Sequence, residues 1–240
     1  MIIRSNGHGL RKAALISGWG LLIMTLFTLF PYYFVFPELI LSDDAPATIT
    51  AIRAHELLFR IAICCYLVVI VLDILVAWSL YIFMAPINRS LSSLTAWFRL
   101  VYATIFGLAL SNYFSALQRL KSEDLPNIWQ TDQLQAEVML SIKAFDDVWA
   151  IGFIFFGLHL FLLGYLALKS GYIPKFFGIL LTLAGLSYLI DYFSRFLFPE
   201  AYLPVGTYLG WGEPIFMFWL LFRGGSIYKN HTVRQKMKYG

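Results

Sequence analysis

Carboxylates, guanidiniums and an imidazole interrupt long apolar runs in this sequence: Asp73, Arg99 and His159 well inside three of the runs, and Glu56, Arg60, Asn112, Asp191, Arg195 and Glu213 nearer their ends. Side chains of these types bind ions, exchange protons or pair with one another. In hydrocarbon each charge costs about 2.5 to 3.5 kcal/mol at mid-span, so such groups turn toward the interior of a helix bundle and find partners there. Asp73 has no basic residue at i+4. It therefore either pairs across helices, with Arg99 as the natural partner, or stays protonated. His159 has no second histidine at i+3 or i+4, and no HExxH occurs in the chain; it reads as an interhelical hydrogen bond rather than a metal ligand. Glu56 with Arg60, and Asp191 with Arg195, are acid-to-arginine pairs at i,i+4 that can bond along one helix face. Asp146 and Asp147 read as a solvated helix start, where negative charge suits the dipole. Glu213 precedes Pro214, and a proline inside a helix frees the carbonyl one turn back, a break of the kind transporters place near a site.

Only helices can position such groups here. Hydrophobic residues make up 60% of the 240 and charged ones 13%, far from the roughly one-quarter charged share of a soluble domain. Six runs reach or approach the roughly 20 residues that cross about 30 Å of hydrocarbon: 13–36, 57–85, 91–117, 148–168, 176–198 and 203–222. They are continuously apolar, unlike the alternating strands of about 10 residues in a membrane barrel. The first run follows Arg11 and Lys12 but is too long for a signal-peptide core, and Phe30-Pro31-Tyr32 offers no small-residue cleavage site, so it reads as a retained span. The expected fold is all-α: one six-helix transmembrane domain over residues 1–240.

The charges between the runs set an orientation. The N-terminal segment (Arg4, Arg11, Lys12), the turn with Arg89, the turn with Lys169 and Lys175, and the C-terminal segment from Arg223 to Lys238 contain basic residues and no acid. By the positive-inside rule these face the cytoplasm, placing both termini inside the cell membrane. The alternate connections carry Glu38, Asp43, Asp44, Glu123, Asp124, Asp132, Glu137 and Glu200 and face out. The basic tail suits anionic lipid better than nucleic acid. Cys64 and Cys65 are adjacent within a run, so they form neither a disulfide framework nor a CxxC motif.

Counting about 1.5 Å per residue from the cytoplasmic ends, Asp73, Arg99 and His159 share a depth of roughly 12 to 20 Å and are expected to meet in one layer. Glu56, Arg60, Asn112, Asp146, Asp147, Asp191, Arg195 and Glu213 fall in the outer part, where they could line an outward-opening pocket. In the first outer connection, Ser42-Asp43-Asp44-Ala45-Pro46 is expected to cap a helix that runs on into the second span. In the second, Leu134, Val138, Ile142 and Phe145 recur at helical spacing, as on an interfacial amphipathic helix forming a lid or collar.

Taken together, His55-Glu56-Leu57-Leu58-Phe59-Arg60, Leu72-Asp73, Ala85-Pro86-Ile87-Asn88, Phe98-Arg99-Leu100, Phe155-Phe156-Gly157-Leu158-His159-Leu160, Gly164-Tyr165-Leu166, Ser170-Gly171-Tyr172-Ile173-Pro174 and Tyr188-Leu189-Ile190-Asp191 resemble the prokaryotic membrane family domain of unknown function 4386. The resemblance covers roughly residues 11–222. It implies a polytopic helical membrane protein, and its matching positions include Glu56, Arg60, Asp73, Asn88, Arg99, His159 and Asp191. It implies no activity.

No catalytic signature, metal-ligand set or cofactor motif stands in the sequence. The reading carried forward is a helical bundle that binds or translocates a small solute or ion. Alternatives are an accessory or signalling subunit whose polar interior only fixes packing, and a membrane-embedded hydrolase, which would need three converging ligands at one depth. The partners expected are the lipid bilayer, a small solute or ion, and a second copy of the chain; six spans make a small transporter unless it dimerises.

Overall fold

Runs dominated by Leu, Ile, Val, Ala and Phe become helices wherever lipid obliges the backbone to satisfy its own hydrogen bonds. A computed structural model describes residues 7–41, 44–122, 131–198, 200 and 204–224. Among the described residues it is all-α, with no strands. The helices are α1 (Gly7–Phe30), α2 (Phe36–Leu39), α3 (Ala45–Ala54), α4 (Glu56–Met84), α5 (Arg89–Ser122), α6 (Thr131–Lys169), α7 (Lys175–Leu197), α8 (Val205–Leu209) and α9 (Gly212–Phe222). Five stretches, Gly9–Leu39, Glu56–Met84, Arg89–Lys121, Asp132–Lys169 and Lys175–Leu197, are long and apolar enough to cross a membrane. Their outward faces are apolar too. On α4, Leu57, Ile61, Val71, Leu75 and Trp78 are all exposed, and a helix apolar all round is the mark of contact with lipid.

Several expected boundaries move. Run 203–222 is broken at Gly210 and Trp211 into α8 and the 11-residue α9; α9 alone extends roughly 16 Å, about half a bilayer core. Pro31 ends α1, and Pro31–Val35 continue as a π-helical turn in which the Phe36 N–H bonds to the Pro31 carbonyl, an adjustment to the proline's missing donor. The helix capped by Asp44, whose Oδ1 accepts from the Ala47 N–H at 2.9 Å, ends at Ala54; His55 (φ −124°, ψ 38°) separates it from α4. The segment expected as an interfacial lid is instead the first third of α6. Leu134, Val138, Ile142 and Phe145 are all buried, because tertiary packing uses the face that an isolated amphipathic helix would give to the interface. Asp146 and Asp147 consequently lie in the middle of α6, both exposed, and not at a helix start.

The chain divides into two compact units, residues 1–23, 72–102 and 153–240, and residues 24–71 and 103–152. In the first, α6 and α7 lie against each other through small residues. A Cβ on Gly157 would lie 3.0 Å from the Gly185 carbonyl oxygen, and one on Gly164 would lie 2.8 Å from that of Gly178. Such residues let helix backbones approach closely where no hydrophobic force acts between them. Gly171, at φ 67°, makes the left-handed turn after α6 that returns the chain as α7. Ser17 on α1 and Ser79 on α4 share a buried 2.7 Å hydrogen bond, and the Tyr172 hydroxyl donates to the Phe83 carbonyl at 2.9 Å.

The second unit is built on rings. Phe36, Phe59, Tyr66, Phe106, Tyr113, Phe145 and Trp149 form one connected cluster. Tyr113 and Phe145 stack at 4.0 Å and Phe106 and Trp149 at 4.8 Å between centroids. Thr48 clips the preceding loop, its hydroxyl both donating to the Leu41 carbonyl and accepting from the Leu41 N–H, each at 2.9 Å.

Candidate functional site

Four helices of the first unit bring one ionisable side chain each to a common point. Asp73 comes from α4, Arg99 from α5, His159 from α6 and Glu213 from the first turn of α9. The Arg99 guanidinium is the hub. Its Nε donates to Asp73 Oδ1 at 2.9 Å, and its Nη1 donates to Glu213 Oε1 and to His159 Nε2, the latter at 3.1 Å. Cζ of Arg99 lies 5.6 Å from the centre of the Phe156 ring, a cation–π distance. Asp73, Arg99 and His159 are wholly buried and Glu213 is 9% exposed, so any opening of the cluster is at Glu213.

Hydrogen bonding assigns the histidine's role. His159 Nδ1 lies 2.8 Å from the Thr95 carbonyl oxygen, which can only accept, so Nδ1 carries the proton. Nε2 is then the acceptor for the Arg99 N–H, and the ring is neutral. Two carboxyl groups therefore face one guanidinium, and the cluster is neutral only when one of them holds a proton or a cation. Glu213 Oε1, 3.9 Å from His159 Nε2, is beyond hydrogen-bond reach of it. Asp73 Oδ2 is buried and has no hydrogen-bond partner among the described residues. A buried carboxylate oxygen without a donor is an acceptor for a proton or a small cation.

Local sequence explains how Glu213 arrives. Gly212 lets α9 start against α7, since a Cβ there would lie 2.8 Å from both Ala184 Cβ and the Leu180 carbonyl oxygen. Pro214 sits in the first turn, where a missing N–H breaks no helical bond. The expectation that Glu213 belongs to an outer set is corrected. Counted from Phe222 through the unbroken α9, Glu213 stands roughly 14 Å deep, the level of Asp73, Arg99 and His159, and it joins Arg99.

A family model described as domain of unknown function, DUF4386, matches residues 16–224. The chain belongs to this family. An uncharacterized protein of Archaeoglobus fulgidus is 38% identical over 160 residues, covering 66% of this chain and 81% of the relative. No solved structure matches the chain. The family assignment spans all four residues of the Arg99 cluster and carries no activity with it.

The remaining polar residues of this family member fall elsewhere. Asp191 on α7 is 4% exposed; its Oδ2 accepts from the Gly206 N–H at 3.1 Å, fastening α8 to α7, while its Oδ1 has no hydrogen-bond partner among the described residues. Arg195 is half-buried one turn further along α7. In the second unit, Arg60 Nε donates to Glu56 Oε1 at 2.7 Å and the two side chains are 40% and 41% exposed. Asn112 donates back to the Ala109 carbonyl of its own helix at 3.1 Å. Thr95 and Phe156 were not legible as site residues from their types. Their signal is positional, since Thr95 stands at i−4 from Arg99 and Phe156 at i−3 from His159, each on the same helix face as its partner. Among the described residues, no three His, Cys, Asp or Glu side chains form a group that could hold a metal ion; the Arg99 guanidinium occupies the point where Asp73, His159 and Glu213 converge.

Proposed function

We propose that this protein is a multi-pass protein of the cell membrane that binds, and passes across the bilayer, a proton or small cation at the Asp73–Arg99–His159–Glu213 cluster. Acid-free segments at both ends of the chain support cytoplasmic termini, with α8 and α9 making the sixth crossing as a broken helix. The observation that carries the binding reading is the charge count. Arg99 is shared by two carboxyl groups, His159 is committed as a neutral acceptor, and Asp73 Oδ2 has no partner among the described residues. A cation there would cancel the surplus negative charge, and Glu213, the cluster's partly exposed member, marks its way in. Asp191, whose buried Oδ1 also has no hydrogen-bond partner among the described residues, is a second stop in the same unit. Glu56, Arg60 and Asn112 belong to the other unit and are not needed for this reading.

The test is thermal unfolding of the purified protein against a panel of ions and small metabolites at two pH values, with Asp73→Asn and Asp191→Asn alongside. Stabilisation by a cation or by acid that disappears in Asp73→Asn is the expected result. The absence of any shift, with both variants destabilised, would favour a second reading: an accessory or signalling subunit in which the cluster only fixes helix packing. Complete burial of Asp73, Arg99 and His159 is the observation on that side.

A further inference from the structure

A groove of about 460 Å³ opens at the hairpin that joins α4 to α5, lined by Tyr81, Arg89, Ser90, Ser93, Leu94 and Trp97. It shares no residue with the Arg99 cluster. Ser90, Ser93, Leu94 and Trp97 stand at i, i+3, i+4 and i+7, so they form one face of α5. Read from the hairpin inward, that face changes from cationic and hydroxylic to apolar: Arg89, Ser90 and Ser93 first, then the exposed Leu94 and Trp97. The gradient spans roughly 12 Å of helix.

The polar end is left available. Arg89 is exposed, and its Nε donates to the Tyr81 hydroxyl at 3.3 Å; it has no carboxylate partner among the described residues. Neighbouring hydroxyls are already used, Ser92 donating to the Tyr81 carbonyl at 2.9 Å and Thr95 to the Leu91 carbonyl at 2.8 Å. Those of Ser90 and Ser93 make no hydrogen bond among the described residues. An uncompensated guanidinium with two free hydroxyls suits a phosphate diester, to which arginine donates two parallel hydrogen bonds. The hairpin also lies where two candidate spans end, Glu56–Met84 and Arg89–Lys121, the level of lipid headgroups. Tryptophan and tyrosine favour that level.

We propose that this groove binds one anionic phospholipid, its headgroup phosphate on Arg89, Ser90 and Ser93 and its acyl chain along Leu94 and Trp97. The match is between two gradients of polarity, the helix face's and the lipid's. The proposal rests on the membrane-spanning reading and is independent of cation binding at Arg99.

Native mass spectrometry of the full chain, released from nanodiscs of equal parts phosphatidylglycerol and phosphatidylcholine, tests it. Retention of phosphatidylglycerol over phosphatidylcholine is expected, falling about fivefold in Arg89→Gln. Trp97→Ala is expected to lower retention of both lipids. Lys175→Gln, at the other short turn, should leave selectivity unchanged. Equal selectivity in wild type and Arg89→Gln would overturn the proposal, as would an equal loss in Lys175→Gln, which would mean diffuse surface charge. Displacement of the lipid by inorganic phosphate alone would also overturn it, because a free-anion site has no use for the apolar end.

Discussion

The two units of this chain build their interiors from overlapping helices by opposite means. Residues 24–71 and 103–152 enclose seven aromatic rings, with Tyr113 stacked on Phe145 and Phe106 on Trp149. Residues 1–23, 72–102 and 153–240 enclose an arginine held by two acids and a histidine. Ring packing is short-ranged and tolerant of direction, so an aromatic core accepts a substitute of similar volume. A buried ionic cluster is intolerant, because removing one member strands the charges of the others. The difference separates an interior that serves stability from one that stability alone does not explain. Well-packed apolar residues in place of a buried ion pair are often as stable or more so, and the first unit keeps its charges all the same.

The largest effect expected follows from removing the hub. Arg99→Leu leaves Asp73 and Glu213 buried without a counter-charge and should cost about 3 to 5 kcal/mol, read as loss of the folded, monodisperse fraction in mild detergent. A fully stable Arg99→Leu protein would mean that the carboxylates are already neutral, and the contrast between the units would collapse. Next is the aromatic unit. Phe145→Ala should cost about 3 kcal/mol through the cavity it opens, whereas Phe145→Leu should cost under about 1.5 kcal/mol; chemical denaturation of the two variants side by side measures the gap. If Phe145→Leu proved as damaging as Arg99→Leu, the rings would be as exacting as the ions and the comparison would fail. The smallest effect belongs to the charge pair outside both interiors. Glu56 and Arg60 are about 40% exposed, so water screens their pairing and Arg60→Gln should leave the unfolding temperature almost unchanged; a clear fall in thermal unfolding would show that this pair has a burden the structure does not explain.

Much of the Arg99 cluster is legible in the sequence. Asp73, Arg99 and His159 stand at similar distances from the ends of their runs, and a helix converts residue count into depth at a constant rise. Three such groups at one level in hydrocarbon have every reason to meet. Glu213 obeys the same arithmetic when the count starts at Phe222 and runs back through α9, which puts it roughly 14 Å deep; the outer position expected for it has no support in that count. Leu134, Val138, Ile142 and Phe145 were legible as a helix face but not as an interior one, since an amphipathic stripe is the same pattern whether it meets lipid or protein. Asp191 was legible as polar and deep, yet its bond to the Gly206 N–H joins residues whose meeting no local rule foretells.

What the sequence determined by itself is the helical class, the places where most helices lie and the membership of the family. Each of these depends on composition and local periodicity, which a chain carries whether folded or not. Only the tertiary structure decided which side chains share Arg99, which nitrogen of His159 holds the proton, and that Asp73 keeps one oxygen without a donor among the described residues. Those depend on distances of a few ångströms between residues far apart in the chain, and only packing fixes such distances.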